Sequence, residues 1–310
     1  MAEIDVREIN KILENPSKAI FDAERTYSEF ISRVADRVVE SETIRIILLA
    51  GPSGSGKTTS ANMICDALKK RGVPSLVLSL DDFYRDALNP EYPRTETGER
   101  DFESPLALNL ADLTETLVRI SEEREFYIPK YDFKIGARVS ITKHEKMLHG
   151  CVVIEGLHAL NPLIFENLCK EKLLKVFISV STNINDGKER IISGRKIRFV
   201  RRMVRDSIYR AADAEKTLAM WKNVLIGEDE HLYPYRKNAD IDYDTFHVFE
   251  PAIMRPFAER LISSELAERD PYAKTVLTAL TKVKIISDTL LPETSLIREF
   301  IPGGKYEELY

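Results

Sequence analysis

The stretch IRIILLAGPSGSGKTT, residues 44–59, decides the fold of this chain. Its first part, residues 44–50, is short, β-branched and almost entirely apolar, which is typical of a buried parallel strand. Its second part matches the pattern GxxxxGK[ST] from Gly51 to Thr58. This motif binds phosphate where it joins a strand to a helix, so the stretch predicts a nucleotide-binding α/β fold.

The chemistry of the motif assigns a role to each part of the loop. Glycines let the backbone curl so that its N–H groups point at phosphate. Lys57 is placed to reach the β- and γ-phosphates, and the Thr58 hydroxyl to ligate Mg²⁺. The predicted nucleotide-binding residues are Gly51, Ser53, Gly54, Ser55, Gly56, Lys57, Thr58 and Thr59. The motif by itself does not separate a small-molecule kinase from a GTPase, a motor or a DNA-dependent ATPase.

Strand and helix patterns alternate outward from this loop. Buried strands are predicted at residues 73–80, 151–156 and 173–180, and strand character returns at 242–250. Helical stretches lie between them, for example at 106–120. Strands that alternate with helices form parallel βαβ units, so the predicted fold is a P-loop NTPase-type doubly wound parallel sheet flanked by helices.

Helical segments are predicted at both ends of the chain. Residues 1–42 carry an apolar stripe that packs on the main domain or binds a partner. Residues 271–300 are predicted to be further helix and loop. We expect an N-terminal helical extension over 1–42, a core domain over 43–265 and a C-terminal helical extension over 266–310. Residues 195–225 are also predicted to be helical, before a turn-rich segment at 227–240.

Carboxylates follow two of the predicted strands, where ligands bind in open α/β sheets. Asp81 and Asp82 come at the end of the strand 73–80, and we expect Asp81 to accept the proton of an attacking hydroxyl. Glu155 ends the strand 151–156, where a second acidic group would hold Mg²⁺. The alternative is that these carboxylates cap the turns or helices that follow.

A cluster of cations lies between residues 195 and 210, with Asp206 among them. Side chains of like charge repel one another unless anions are near, and a transferred phosphate is such an anion. The cluster therefore predicts an arginine-rich helical lid. A solvated basic face or a nucleic-acid patch are the alternatives. The cations are Arg195, Lys196, Arg198, Arg201, Arg202, Arg205 and Arg210.

The composition argues against several other classes of protein. The formal net charge of −5 is unlike that of a dedicated nucleic-acid binder. The 3 cysteines form no CxxC pair, which favours a reducing compartment. No apolar run reaches the roughly 18 residues that span a membrane, and the charged N-terminus has no apolar signal region. We expect a cytoplasmic protein without a membrane or nucleic-acid partner.

Together these motifs resemble the uridine kinase and phosphoribulokinase family over roughly residues 43–265. The resemblance implies that this region is a P-loop kinase domain. The motifs, in order, are GPSGSGKTT, LSLDDFY, IPKYDF, VVIEGLHALNP and RRMVRDSIYR. Three further segments look like a longer bacterial branch of uridine kinase-like proteins: PRTETGERDFESP (93–105), MWKNVLIGEDEHLYPYRKNAD (220–240) and TSLIREFIPGG (294–304).

The resemblance implies an enzyme that transfers phosphate from ATP or GTP, with Mg²⁺, to the 5′-hydroxyl of uridine or cytidine. It makes Asp81 the catalytic aspartate, assisted by Lys57 and Arg205. Glu103 falls where the family uses a carboxylate against the ribose hydroxyls. The implied substrate-binding residues are Asp81, Tyr84, Glu103, Tyr131, Phe133, Arg205 and Arg210. Family members are often homo-oligomers.

The sequence departs from the family pattern in the acceptor site. Gly136 stands where pyrimidine-specific relatives carry a base-reading histidine, and Ala212 where they carry another lid arginine. Glu103 replaces a shorter aspartate. A kinase for another nucleoside or a small polyol is therefore an alternative, as is a nucleotide-binding regulator with little catalysis. A nucleic-acid-stimulated NTPase is a third hypothesis.

Overall fold

A computed structural model describes residues 2–95, 98–133 and 135–309 of the chain. Its strands are β1 (Glu3–Asp5), β2 (Ile46–Ala50), β3 (Ser75–Ser79), β4 (Phe126–Asp132), β5 (Ala137–His144), β6 (Cys151–Gly156), β7 (Leu173–Ser179), β8 (Asn183–Asp186), β9 (Glu189–Ile192) and β10 (Ile241–Asp244).

The central sheet of the described residues is parallel throughout, with strand order β10-β7-β2-β6-β3. The strand before the phosphate loop lies in the middle, where Leu48 is opposite Ile154 on one side and Lys175 on the other. Strand order reverses beside β2, so its carboxyl end opens at the topological switch point of the sheet. The predicted doubly wound parallel sheet is confirmed.

The helices are α1 (Val6–Ile12), α2 (Pro16–Ser41), α3 (Lys57–Lys70), α4 (Leu110–Ser121), α5 (Pro162–Phe165), α6 (Gly194–Tyr209), α7 (Ala214–His231), α8 (Glu250–Leu261), α9 (Ser264–Arg269) and α10 (Pro271–Thr281). In the part of the chain that the structure describes, none of them is long and apolar enough to cross a bilayer.

Helices cover both faces of the sheet. The long helix α2 begins at a proline after the capping residue Asn15, and with α3 it covers one face. Phe30 and Val34 of α2 are fully buried there beside Val153 of β6. Helices α4 and α5 cover the opposite face, where Leu117 is buried. A further apolar core joins α6, α7, α8 and α10.

Both ends of the chain are tied to this framework. Strand β1 pairs in parallel with β8, and β8 forms a hairpin with β9, so the segment 1–42 is not helical throughout as predicted. Strands β4 and β5 form a separate antiparallel hairpin. The segment after α10, through residue 309, contains only short 3₁₀ turns and packs back against α3.

The basic helix differs from its prediction in length. The predicted helix 195–225 is two helices, because Ala211 takes a left-handed conformation with φ of 50° and Asp213 caps the N-terminus of α7 by accepting the N–H of Lys216. Helix α7 also continues to His231, past the predicted start of the turn-rich segment at 227.

The last predicted strand is shorter than expected. Strand β10 ends at Asp244, whose side chain accepts the backbone N–H groups of Ser181 and Phe246. These bonds turn the chain away from the sheet, and α8 begins at Glu250. The predicted strand at 242–250 is therefore wrong beyond Asp244.

Candidate active site

The loop between β2 and α3 has the backbone of a phosphate cradle. Gly54 and Gly56 have φ angles of 74° and 92°, a region that glycine reaches without strain. Gly56 is the N-cap of α3 and has no side chain to cap the first-turn N–H groups. These donors and the helix dipole favour an anion at this point. The predicted nucleotide-binding residues 51–59 thus form one loop and the first turn of one helix.

Side chains of helix α6 hold this loop through hydrogen bonds to its backbone. Arg198 donates to the backbone oxygen of Ser53 at 2.8 Å and forms a two-pronged ion pair with Glu228, both bonds at 2.7 Å. Glu228 in turn accepts the N–H of Ser53 at 3.1 Å. Both charged side chains are completely buried. Arg198 therefore fixes the conformation of the loop and does not face an open cleft.

A second arginine of α6 is held in the same way. Arg201 donates to the backbone oxygen of Gly54 at 3.1 Å and pairs with Glu250 at 2.5 and 2.7 Å. The close spacing of these cations predicted a phosphate partner for the cluster. For Arg198 and Arg201 that interpretation is wrong, because buried carboxylates from α7 and α8 neutralise them.

Three arginines towards the C-terminal end of α6 gather around Asp206, whereas Arg195 at its start pairs with Asp229. Arg205 donates twice to one Asp206 oxygen, at 3.0 and 2.9 Å, and Arg202 bonds the Ser53 hydroxyl at 3.0 Å. Arg210 lies 3.6 Å from Asp206 and keeps 55% of its side chain exposed. One carboxylate shared by three cations leaves net positive charge beside the phosphate loop. A lid movement of α6 stays a prediction.

Asp81 lies at the carboxyl end of β3, in the 3₁₀ turn Leu80–Phe83. It reaches solvent, yet protein surrounds it closely enough that desolvation raises its pKa. Lys57, Arg210 and Arg205 oppose that rise, which places these three cations around Asp81. The structure therefore brings together all the residues predicted to be catalytic.

Asp82 differs from its neighbour in what it contacts. Its carboxylate lies 3.1 Å from the Lys130 ammonium and accepts the backbone N–H of Tyr131 at 3.3 Å. Asp82 thus ties the turn after β3 to β4. Capping of the following turn was the alternative prediction for Asp82, and its contacts brace that turn.

Glu155 ends β6 beside the phosphate loop and is buried. The Ser79 hydroxyl donates to it at 2.8 Å. Burial raises the pKa of Glu155 to about 7, with Lys57 opposing and Asp81 reinforcing the rise. A hydroxyl at Thr58 and a carboxylate at Glu155 are hard oxygen ligands, and Mg²⁺ binds such sites with substrate phosphates and water completing its shell. The donor set fits Mg²⁺.

Glu103 reaches the same cleft from the loop before α4. Its N–H is held by Asp101 at 3.0 Å, and its side chain packs against Gly227 of α7. A Cβ at Gly227 would lie 2.3 Å from the Glu103 Cβ, so only glycine fits there. Burial raises the pKa of Glu103 to about 7, although Arg202 lowers it, and Asp81 contributes to the rise.

Aromatic side chains line the neighbouring part of the cleft. The ring centroid of Phe133 lies 5.0 Å from the centroid of Tyr131 and 5.3 Å from that of Tyr84, and both pairs of rings meet edge to face. Tyr84 donates its hydroxyl to the Phe102 backbone oxygen at 2.7 Å. Phe133 is 56% exposed, whereas Tyr131 is buried. Three of the predicted substrate-binding residues, Tyr84, Tyr131 and Phe133, thus form one cluster with an open apolar face.

Sequence reasoning missed the acids that hold the phosphate loop. Glu228 and Glu250 lie 30 and 49 residues beyond the arginines that they bind. Glu299 accepts the N–H of Thr59 from 240 residues away. No local pattern marks these residues, because their partners are assembled only by tertiary folding.

A parallel sheet with a phosphate loop at its switch point and cations around a nearby aspartate defines the class of P-loop kinases. Residues 46–248 match the model of the phosphoribulokinase / uridine kinase family. The chain belongs to that family, whose members are phosphotransferases that act on alcohol acceptors.

Individual relatives are similar over about two thirds of the chain. Uridine-cytidine kinase-like 1 from Mus musculus is 31% identical over 206 residues, 65% of this chain but 34% of the mouse protein. Uridine kinase from Ureaplasma parvum is 26% identical over 63% of this chain and 86% of its own length. The phosphoribulokinase structure from Rhodobacter spheroides aligns over 67% of this chain and 74% of its own, with 18% identity and a TM-score of 0.43.

Proposed function

We propose that this protein transfers the terminal phosphoryl group of ATP or GTP to the 5′-hydroxyl of a nucleoside, most favourably uridine or cytidine. The observation that carries the proposal is the convergence of Lys57, Arg205 and Arg210 on Asp81 at the open end of the sheet. A carboxylate surrounded by cations beside a phosphate cradle suits proton abstraction next to a transferring phosphoryl group.

The proposed reaction gives each of these groups a role. The acceptor hydroxyl attacks the γ-phosphorus, the new O–P bond forms, and the bond from that phosphorus to the bridging oxygen breaks to release the nucleoside diphosphate. Asp81 receives the hydroxyl proton, and the raised pKa that burial gives it makes it a better base. Lys57 and Arg205 stabilise the negative charge on the transferring group.

Thr58 and Glu155 would hold a divalent ion, directly or through water. When bound, Mg²⁺ neutralises phosphate charge. The protein itself keeps Glu155 in place through the Ser79 hydroxyl. Because burial raises the pKa of Glu155 to about 7, a bound cation would favour its ionised form.

The acceptor side supports a nucleoside. A carboxylate such as Glu103 accepts hydrogen bonds from both hydroxyls of a ribose diol. The open face of Phe133 beside Tyr131 and Tyr84 offers a flat base an aromatic surface. These features favour a ribonucleoside over a simple alcohol.

One observation favours a second acceptor class, another nucleoside or a small polyol. Gly136 has a φ of 72°, and a Cβ at this position would lie 2.9 Å from the Ala87 Cβ. A base-reading histidine therefore does not fit here without a shift of the backbone or of Ala87. Since a lost polar contact relaxes discrimination, base selection would differ from that of pyrimidine-specific relatives.

The test is a coupled assay of diphosphate release with Mg²⁺ and ATP or GTP, against a panel of nucleosides and small polyols. We expect release that depends on uridine or cytidine, that is lost in Lys57→Ala, and that persists in Lys70→Ala, a matched change at an exposed lysine of the same helix. Stimulation by another acceptor alone would support the second class. Triphosphate binding without any stimulated release would contradict a kinase and favour a regulator.

A further inference from the structure

A carboxylate of the chain itself accepts a hydrogen bond from one backbone amide of the phosphate cradle. Thr59 is the third residue of α3, and its backbone N–H donates to Glu299 at 3.0 Å. N–H groups of this loop and first turn are the ones that cradle the α- and β-phosphates in P-loop proteins. Glu299 is 4% exposed. Its oxygen therefore lies where a nucleotide phosphate oxygen would be expected.

Two further contacts place the same segment at the cradle. A Cβ at Gly56 would lie 2.4 Å from a methyl carbon of Leu296, so Leu296 packs directly on the last glycine of the loop. The negative charge of Glu299 also contributes to the raised pKa of Glu155. Glu299 thus shares an electrostatic environment with the predicted Mg²⁺ ligand.

The segment from residue 293 to residue 306, here called the C-terminal strap, is firmly anchored. The Ser295 hydroxyl donates to Glu24 of α2 at 2.5 Å. Lys305 and Tyr306 both bond Asp66 of α3, at 2.5 and 2.7 Å. The strap residues that are completely buried are Leu296, Ile297, Phe300 and Ile301.

Because the strap is part of the core, it does not swing away as a whole. The part that can move is the Glu299 side chain, which single-bond rotations can carry away from Thr59. An anchored carboxylate of this kind acts at a high local concentration and is never diluted.

We propose that Glu299 is a built-in competitor for the donor phosphate, which lowers the affinity for nucleotide until its side chain leaves the Thr59 amide. The inference rests on the proposed function, since it needs a donor nucleotide in the cradle. Both the loss of a hydrogen-bond donor and the repulsion between two anions act in the same direction. Through Glu299, the C-terminal strap thereby lowers the affinity of the donor site for nucleotide.

The test measures the dissociation constants of Mg·ADP and of inorganic pyrophosphate by calorimetry. Glu299→Gln keeps the shape and the acceptor oxygen of the side chain but removes its charge. Glu299→Ala removes the acceptor oxygen as well as the charge. We expect both variants to bind each ligand about tenfold more tightly than the unmodified protein. Glu308→Gln, a change at an exposed acid beyond the strap, is the matched control and leaves both constants unchanged. Melting temperatures show that the variants are folded.

The outcomes separate this inference from the proposed function. Equal or weaker ligand binding by Glu299→Gln, with binding abolished by Lys57→Ala, would overturn the competitor and leave the donor site standing. Tighter binding of ADP alone, without pyrophosphate, would also overturn it, because the effect would then lie at the base or ribose. Binding of neither ligand by any variant would remove the donor site and the competitor together.

Discussion

Glu103 and Glu155 carry carboxyl groups whose pKa values burial raises to about 7. Each therefore changes charge near neutrality, although an exposed glutamate is ionised above about pH 4.3. For Glu103 the consequence is functional, because the ionised carboxylate accepts hydrogen bonds from two hydroxyls more strongly than the protonated group does. Ligand binding at the cleft is thus expected to depend on pH.

We predict that the KM for the nucleoside acceptor falls as pH rises through about 7. The sign follows from the raised pKa, since below it Glu103 is protonated and loses acceptor capacity. Glu103→Gln should raise KM about tenfold or more and remove this pH dependence. Glu99→Gln, an exposed acid on the same loop, should keep the original profile. An unchanged profile in Glu103→Gln would exclude Glu103 from acceptor binding.

At this scale the sequence predicted the residues whose role depends on a local motif. The phosphate loop follows β2 and Asp81 follows β3, with β6 between these two strands. Their convergence at one edge of the parallel sheet therefore follows from the strand pattern. Glu299 was out of reach, because its contact with Thr59 joins distant parts of the chain. The roles of the individual site residues stay predictions until they are measured.

Helix α6 combines two kinds of arginine. Its inner side carries Arg198 and Arg201, which are buried against acids and bond the phosphate loop. Its C-terminal end carries Arg210, which is exposed near Asp81. The spacing of charges along the sequence predicted one helix whose cations all serve a phosphate lid. Only their tertiary partners show that Arg198 and Arg201 instead hold the phosphate loop in place.

We expect the two kinds of arginine to separate stability from activity. Arg201→Met leaves Glu250 buried without its partner and should lower the free energy of unfolding by about 3–5 kcal/mol. Arg210→Met should change stability by less than about 0.5 kcal/mol, yet lower kcat by about tenfold or more. Urea denaturation and turnover measured on both variants check this. Full activity in Arg210→Met, or full stability in Arg201→Met, would contradict the assignment.

For the molecule as a whole, both chain ends belong to the packed structure. Helix α2 covers one face of the central sheet, and the C-terminal strap packs on α3. The sequence predicted helical extensions at 1–42, from apolar periodicity, and at 266–310, from a further stretch of helix and loop. It could not show what the apolar stripe covers, because periodicity reveals which face of a helix is buried but not its partner. The boundaries between extensions and core domain stay predictions.

We predict that α2 is required for the stability of the sheet. Phe30 is 1% exposed and stacks on Tyr243 at 4.0 Å, whereas Phe21 on the same helix is 66% exposed. Phe30→Ala should lower the free energy of unfolding by about 3–5 kcal/mol, and Phe21→Ala by less than about 0.5 kcal/mol. Denaturant titration distinguishes them. Equal effects would show that α2 does not share the core of the sheet.

The central claim is that Asp81 takes the proton of an acceptor hydroxyl while its neighbour Asp82 only braces the turn. The most direct test is the single-turnover rate of phosphoryl transfer to the best acceptor, measured beside Mg·ATP affinity in Asp81→Asn and Asp82→Asn. We predict that Asp81→Asn keeps nucleotide binding and loses about 10²- to 10⁴-fold in rate, and that Asp82→Asn stays within about tenfold of the unmodified protein. Near-normal transfer in Asp81→Asn would contradict the account.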